Sequence, residues 1–558
     1  SGGVWSATVD VPWDAPVEYK FVVDGNWITD PSNPDQVDDG VGGFNSVIDG
    51  ITCEEWTCEP PLVGDFDWRD AVLYFVFVDR FVDGDPSNNG ASVPNVEQPA
   101  NYQGGDWAGV LSKIEDGYFT DLGINVLWLT VPMDNTDDSG MGNDAHRHSA
   151  YHGYWPKDLD AVEQRFGTLT DLVAVVEAAH LRDIKVIVDY AMNHVHASSP
   201  VYTQNPSWFW PLDNGGKYCV CGDGCSWDGA DGKRCWFTDY LPDFDFTNQA
   251  ARNFSVQNAI DWIELTGIDG FRLDAVKHIE DAWITDLRAR VTAEIEPVSG
   301  QHFYMVGETF TGDRGTIGYY VNPSTMLDGQ FDFPLRGAII SSLMTRTATM
   351  HDLDGFIIDN ESYYGGGIMS TFIGNHDVPR SIHFAQDNPI WYDSWSGGKD
   401  KAWYGTPGLP SETSAFERFA NAYTVLFSLP GVPLIYYGDE IGLPGAGDPD
   451  NRRQMQWSGY SAGQLMLKAH LQQLTTIRAA HPALRRGTRT TLSVTNDTIA
   501  YRMQAGSDEV IVVVNRGDGA ASVGGLPSSS FVDEIDGSSH SGPTISVPPR
   551  SSRMLVGP

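Results

Sequence analysis

Basic residues are scarce in this chain: Lys and Arg total 35 against 75 Asp and Glu, a formal net charge of −40 at pH 7. That balance excludes a nucleic-acid partner, because phosphate binding needs a basic surface. Long apolar runs are absent too, so no segment reads as a membrane span. There is no internal repeat and no low-complexity tract. Cysteines number only six, in two groups: Cys53 and Cys58, then Cys219, Cys221, Cys225 and Cys235. An even, clustered set suggests disulfides and an oxidising compartment. The spacing C-x-C-x3-C-x9-C lacks the paired C-x2-C hooks of common zinc sites, so disulfides are favoured over zinc. The chain starts at Ser1 rather than Met, which reads as a beginning left by processing or truncation. The expected address is extracellular or periplasmic. The excess of Asp leaves two readings open, a well-solvated surface or a secreted protein using part of its Asp as metal ligands.

What is present is a 558-residue chain, 41% hydrophobic, with 59 Gly and 18 Trp. Such a composition suits a loop-rich enzyme with aromatic binding surfaces, not a coiled coil or a disordered chain. Short strands broken by Pro, Gly and Asp (VWSATVDVP, VEYKFVVDG, NSVIDG) predict a β-sandwich module over residues 1–52, followed by a linker over 53–66. Strands then alternate with helices: AVLYFVFVDRF, INVLWLTVP, KVIVDYAMNH, IDGFRLDAV, FYMVGETF, MSTFIGNHD and VPLIYYGDE are apolar runs ending in polar residues. Strand–helix repetition over residues 67–486 predicts an α/β fold with a parallel sheet closed into a (β/α)8 TIM barrel. Residues 195–246, rich in Trp, Cys, Gly and Asp, interrupt the rhythm as an inserted subdomain after the third strand. Residues 487–558 return to short strands and predict a C-terminal all-β domain.

In a barrel, polar residues at the C-terminal ends of strands face the catalytic mouth. Four such ends supply Asp189, Asn193 and His194; Arg272 and Asp274; Glu308; and His376 with Asp377. A single carboxylate there is as readily a helix cap. Three converging on one cavity, with an Arg and two His, point to function. Paired carboxylates suit glycoside hydrolysis, where one attacks the anomeric carbon and the other protonates the leaving oxygen. Arg272, two residues from Asp274 on one side of a strand, favours the ionised carboxylate and marks Asp274 as the nucleophile. Glu308 follows the apolar FYMVG, where desolvation and neighbouring carboxylates favour the protonated form of an acid/base. Asp377 is then left to stabilise positive charge developing on the sugar.

The segments GIDGFRLDAVKH, DYAMNH, VGETF and FIGNHD resemble, in order, the four signatures of the α-amylase family, glycoside hydrolase family thirteen. The resemblance implies a retaining mechanism on α-glucosidic bonds, with Asp274 as nucleophile, Glu308 as acid/base and Asp377 as transition-state stabiliser. It implies sugar contacts from His194, Arg272 and His376, with Lys277 and His278 on the aglycone side. AYHGYWPKD is similar to a further family segment and adds His152 as a sugar ligand and Tyr154 as a stacking platform. GAGDPDNRRQMQW resembles its substrate loop and adds Asp448 and Arg452. The family's structural calcium maps to Asn193, Asp243 of LPDFD and the His278 carbonyl. VDGDPSNNG with GGDW resembles the extra calcium loop of cyclodextrin glucanotransferases and maps to Asp83, Asp85, Asn88, Asn89, Asp106 and the Gly104 carbonyl. YKFVVDGNWITDP is similar to a glycogen-binding module, with Lys20 and Trp27 at sugar-contacting positions.

The expectation is therefore a secreted, calcium-dependent, endo-acting α-amylase that works as a monomer on α-1,4-glucans. LPDFD leans away from cyclodextrin-degrading enzymes and the short C-terminal region from glucanotransferases; a cyclomaltodextrinase, neopullulanase or maltogenic enzyme, or an α-glucan transglycosylase, is the alternative. An idle polysaccharide-binding relative is disfavoured because all three carboxylates are present.

Overall fold

The computed structural model describes residues 16–23, 26–31, 33, 35–48 and 66–557, apart from residues 214, 217 and 396. The chain divides into two compact units, Ser1–Gly64 and Asp65–Pro558. Cys53 and Cys58 lie outside the described residues.

In the first unit, Val17–Tyr19, Phe44–Ile48 and Gln36–Asp38 form a three-stranded antiparallel sheet, and Phe21–Val23 pairs with Asn26–Ile28 in a hairpin. The strands are short, and their apolar side chains are largely exposed: Trp27 is 72% exposed. Lys20 is held by Asp39 at 2.6 Å.

The second unit is built on an eight-stranded parallel barrel: β1 Leu73–Val76, β2 Val126–Leu129, β3 Lys185–Tyr190, β4 Gly270–Leu273, β5 Tyr304–Gly307, β6 Gly329–Gln330, β7 Ser370–Phe372 and β8 Val432–Tyr436. Neighbours pair in the order β6-β5-β4-β3-β2-β1-β8-β7, and a parallel bridge between Phe331 and Ser370 closes the ring. Seven of these strands are apolar runs flanked by turns and are plain in the sequence. The exception is β6, two residues inside LDGQFDF, too short and too polar to carry a periodicity.

The intervening helices start on side-chain caps. Asp106 caps Trp107–Glu115, while Thr168 with Asp171 and Ser461 with Gln464 form reciprocal capping boxes before Leu169–His180 and Ala462–Ala480. Inside the barrel, aromatic rings stack beneath the C-terminal strand ends, Phe75 on Trp128 at 3.6 Å and Trp128 on Phe331 at 5.4 Å. All three rings are buried, a closely packed floor under those strand ends.

Between β3 and β4, the insert is held by two disulfides, Cys219–Cys225 and Cys221–Cys235, with Cα separations of 5.0 and 5.1 Å. The four sulfurs are therefore not a zinc site. The C-terminal region is all-β: a six-stranded antiparallel sheet from Thr488 to Val556, with the pair Ala521–Val523 and Ile545–Val547 packed on it. Its own apolar core includes Val513, Phe531, Val547 and Leu555. Arg489 reaches back to Asp354 at 2.6 Å, fastening it to the barrel. Among the described residues, no helix is long and apolar enough to cross a membrane.

Candidate active site

The register of β3 on β4 sets Asp189 opposite Arg272. Asp274 follows β4 by one residue, two beyond Arg272, so the period-two alternation of the strand aims both side chains at the mouth. Phe271, pointing the other way, packs on Tyr190 and Phe303. Arg272 is 1% exposed and holds Asp274 at 2.6 Å, Asp189 at 2.9 Å and Glu308 at 3.9 Å. One guanidinium thus binds the two carboxylates expected to perform the reaction and a third that anchors it. Its fixed, always-charged fork suits that task, where a lysine would present a single point charge.

Glu308 ends β5. Its carboxyl is pushed up to about 8, chiefly by burial, with Asp274 and Asp377 adding to the shift and Arg272 opposing it. It therefore carries a proton at neutral pH. Asp377 is raised to about 6, again mainly by burial, with Arg452 and Arg272 opposing. Ala275, directly after Asp274, has the left-handed conformation with φ 49°. A non-glycine residue held there is strained, and the turn survives because Glu308 clasps it: the Ala275 amide donates to Oε2 at 3.3 Å and the Val276 amide to the Glu308 carbonyl at 2.9 Å.

Tyr154 links the walls. Its hydroxyl donates to Asp189 at 2.5 Å and meets His376 Nε2 at 2.8 Å, while its ring lies parallel to that of His376. The sequence motif suggested only a stacking platform, and the hydroxyl's structural bonds were not visible in it. Burial keeps His152 and His376 well below the usual histidine range, so both are neutral. His152 Nδ1 accepts from the Tyr154 amide at 3.0 Å. His194 has protein partners on both nitrogens, the Tyr154 carbonyl at 2.8 Å and the Asn193 amide at 3.3 Å. From the loop after β8, Arg452 contacts Asp448 at 3.2 Å and Asp377 at 3.5 Å.

These residues surround a cavity of about 820 Å³, lined by His152, Tyr154, His194, Asp274, His376, Asp377, Asp448 and Arg452. Arg272 and Glu308 stand directly behind that wall. The insert contributes Trp227, Phe237 and Tyr240, and the loops after β2 and β7 contribute His146 and Trp403. These aromatics escaped the sequence reading; the Trp enrichment of the insert is a signal for its own members, while His146 and Trp403 lie outside it. Lys277 and His278 are not in the wall. The Lys277 ammonium binds Asp228 at 2.8 Å, and the His278 Nδ1–H donates to the Gly232 carbonyl at 2.8 Å, with the ring packed between Trp227 and Phe237.

Two clusters have the chemistry of cation sites. Asn193 Oδ1 and both oxygens of Asp243 are buried without a hydrogen-bond donor. Burial, with Glu280 and Asp245 nearby, pushes the Asp243 carboxyl well above its usual range. Unpaired hard oxygens in a buried acidic setting fit calcium. In the second cluster Asn88 Oδ1 and Asn89 Oδ1 are likewise buried and unpartnered, with Asn89 Nδ2 on Asp83 at 2.9 Å. Gly104, at φ +91°, lies so close that a Cβ there would stand 2.8 Å from the Asn89 amide. Asp85 and Asp106 are more committed. Asp85 accepts from Ser87, and Asp106 accepts the amides of Gly84, Asp85 and Gly109 as a helix cap.

The family model "Alpha amylase, catalytic domain" matches residues 75–504. A cyclomaltodextrin glucanotransferase of Geobacillus stearothermophilus is 32% identical over 493 residues, covering 84% of this chain and 63% of the relative, so the chain spans less than two thirds of that protein. An α-amylase of Niallia circulans is 30% identical over 513 residues, covering 85% of this chain and 87% of the relative. The crystal structure of an α-amylase from Geobacillus thermoleovorans with acarbose superposes with a TM-score of 0.72 at 27% identity, over 88% of this chain and 99% of that one.

Proposed function

The chain belongs to the α-amylase family, and from that premise we propose that it is a secreted, retaining, endo-acting α-amylase cleaving α-1,4-glucosidic bonds of starch, glycogen or maltooligosaccharides. The observation that carries this reading is the Arg272 guanidinium shared by Asp274 and Glu308, beside a cavity wide enough for several sugar rings. Asp274, paired with Arg272, attacks the anomeric carbon as protonated Glu308 delivers its proton to the departing glycosidic oxygen. A glycosyl–Asp274 ester forms and the aglycone leaves as an alcohol. Glu308, now ionised, takes a proton from water, whose oxygen displaces Asp274 with net retention and restores both groups. Asp377 stabilises the positive charge developing on the reacting ring, His152, His376 and Arg272 hold its hydroxyls, and Asp448 with Arg452 holds the next ring along.

Calcium, when bound, supplies positive charge that ties the insert to the barrel. Asn193, Asp243 and the His278 carbonyl would hold one ion, and Asp83, Asn88, Asn89 and the Gly104 carbonyl, with Asp85 and Asp106, a second. Lys277 is an expected sugar contact whose present partner, Asp228, an aglycone would have to displace. The paired cysteines of the insert suit an oxidising, extracellular or periplasmic setting.

The test is product analysis on soluble starch, cyclodextrin and pullulan, with the first-formed anomer read by NMR. Mixed α-configured oligosaccharides from starch are expected. Exclusive cyclodextrin opening, cyclodextrin synthesis or β-anomers would overturn the assignment.

A further inference from the structure

Two loops meet above the cavity. One, residues 139–148, follows β2, and the other, residues 391–405, follows β7. Trp403 of the second lies flat on His146 of the first, ring centroids 3.9 Å apart and planes 12° from parallel. Its indole N–H donates to Asp144 at 2.7 Å, and the same carboxylate oxygen contacts His148 Nε2 at 3.0 Å. His148 also presents its edge to the indole at 5.4 Å. His146 is backed by Glu97 at 2.9 Å. Trp403, His146, His148 and Asp144 all line the cavity that holds Asp274 and Asp377.

The barrel order says what this contact spans. Between β7 and β2 around the ring lie β8 and β1, so the bridge crosses the side opposite β4 and β5, where Asp274 and Glu308 stand. Asp448 and Arg452, which follow β8 between the two loops, line the same cavity. On the other side the loop 391–405 is itself braced: the Gly447 amide donates to the Gly398 carbonyl at 3.1 Å, and Trp395 stacks on Phe333. A glucan lying over Asp448 and Arg452 meets a closed wall of stacked rings instead of an open groove.

We infer that the Trp403–His146–Asp144 bridge is a specificity device: it ends the cleft on the β8 side, sets how many glucosyl units bind there, and makes a longer chain turn out of the cleft at that point. Both partner faces are aromatic, so the last sugar ring held has an apolar surface to press against. The inference rests on the proposed hydrolase, and its test is arranged to fail separately from it.

The experiment compares the product lengths that wild type, Trp403→Ala, His146→Ala and the double variant release from soluble starch and from maltooligosaccharides of defined length. The ratio of short to long products should shift by about three- to tenfold, the range one aromatic contact commands. The shift should be the same for either single variant, since each removes one half of one bridge, and the double variant should add little. KM for long oligosaccharides should move more than kcat. A residue with only a structural role would lower the melting temperature and kcat and leave product lengths alone. Trp403→Phe, which keeps a ring and loses the bond to Asp144, serves where the alanine variant does not fold. Folded variants with wild-type product lengths would overturn the bridge while leaving the hydrolase standing. Wild type without activity on any glucan would overturn the hydrolase first.

Discussion

The two walls of the cavity are made differently. The wall at β3, β4 and β5 is a set of charges at strand ends, buried and mutually bonded: Asp189, Arg272, Asp274, Glu308 and the hydroxyl of Tyr154. The wall made by the insert and the loops after β2 and β7 is aromatic and partly exposed, with Trp227 against Phe237 in the insert and His146 stacked on Trp403 between the loops. The first wall holds unit charges whose positions the sheet register dictates, as a reaction centre requires. The second holds apolar surface on loops, where shape can change without disturbing the chemistry. On the proposed reading, reaction and specificity are separated in space.

Replacing one atom pair in the charged wall should have the largest effect. Asp274→Asn removes the nucleophile with little change in shape and should lower kcat about 10⁴- to 10⁶-fold, while binding of an oligosaccharide persists. Retained turnover in a clean preparation would remove Asp274 from its role. Arg272→Ala strands Asp189 and Asp274 without a counter-charge and should cost about 3–5 kcal/mol in stability. Chemical denaturation measures it, and a loss under 1 kcal/mol would mean that the network does not hold the wall.

Next in size is the response to pH. Glu308 titrates near 8 in the folded protein against an ordinary 4.5, so the folded state keeps a proton that the unfolded chain releases. Its contribution to stability is therefore lost as pH rises from about 4.5 to about 8, by up to about 1.4 kcal/mol per pH unit. Glu308→Gln, which cannot ionise, should flatten the stability–pH curve over that range. In the wild type, kcat should fall on the alkaline side as the acid loses its proton. An alkaline limb unmoved by changes around Glu308 would assign the proton to another group.

Chelation should lower the melting temperature without touching the charged wall. An ion held at a hundred times its Kd contributes about 2.7 kcal/mol. Asp243→Asn should reduce that sensitivity, and an unchanged melting temperature in both would argue against the site. The smallest effect belongs to the amino-terminal unit, where Trp27→Ala at a 72% exposed position should change stability by less than about 0.5 kcal/mol. Depletion from granular starch is the measurement that would reveal any loss of sugar contact there.

The contrast between the walls also explains what could be read early. Arg272, Asp274, Glu308, His376 and Asp377 were legible because each ends a strong apolar run, and the period of two says which side it faces. Strand β6 was not, since Gly329–Gln330 lies in a polar stretch and is a strand only because β5 and Phe331 pair around it. The Tyr154 hydroxyl, engaged with Asp189 and His376, joins residues 35 and 222 positions away, and no local pattern encodes such a meeting. Lys277 and His278 followed the motif but turn to Asp228 and Gly232, because the insert covers them.

The sequence by itself determined the barrel, which carboxylates end its strands and face the cavity, and the acidic, disulfide-bearing character of the chain. Those follow from local periodicity and residue chemistry, which a linear string carries. Tertiary structure alone decided which cysteines pair, that one guanidinium serves both carboxylates, and that Trp403 meets His146 across the mouth, 257 positions apart. Such contacts depend on where closed strands and long loops come to rest in space, and that is set by the packing of the whole barrel beneath them.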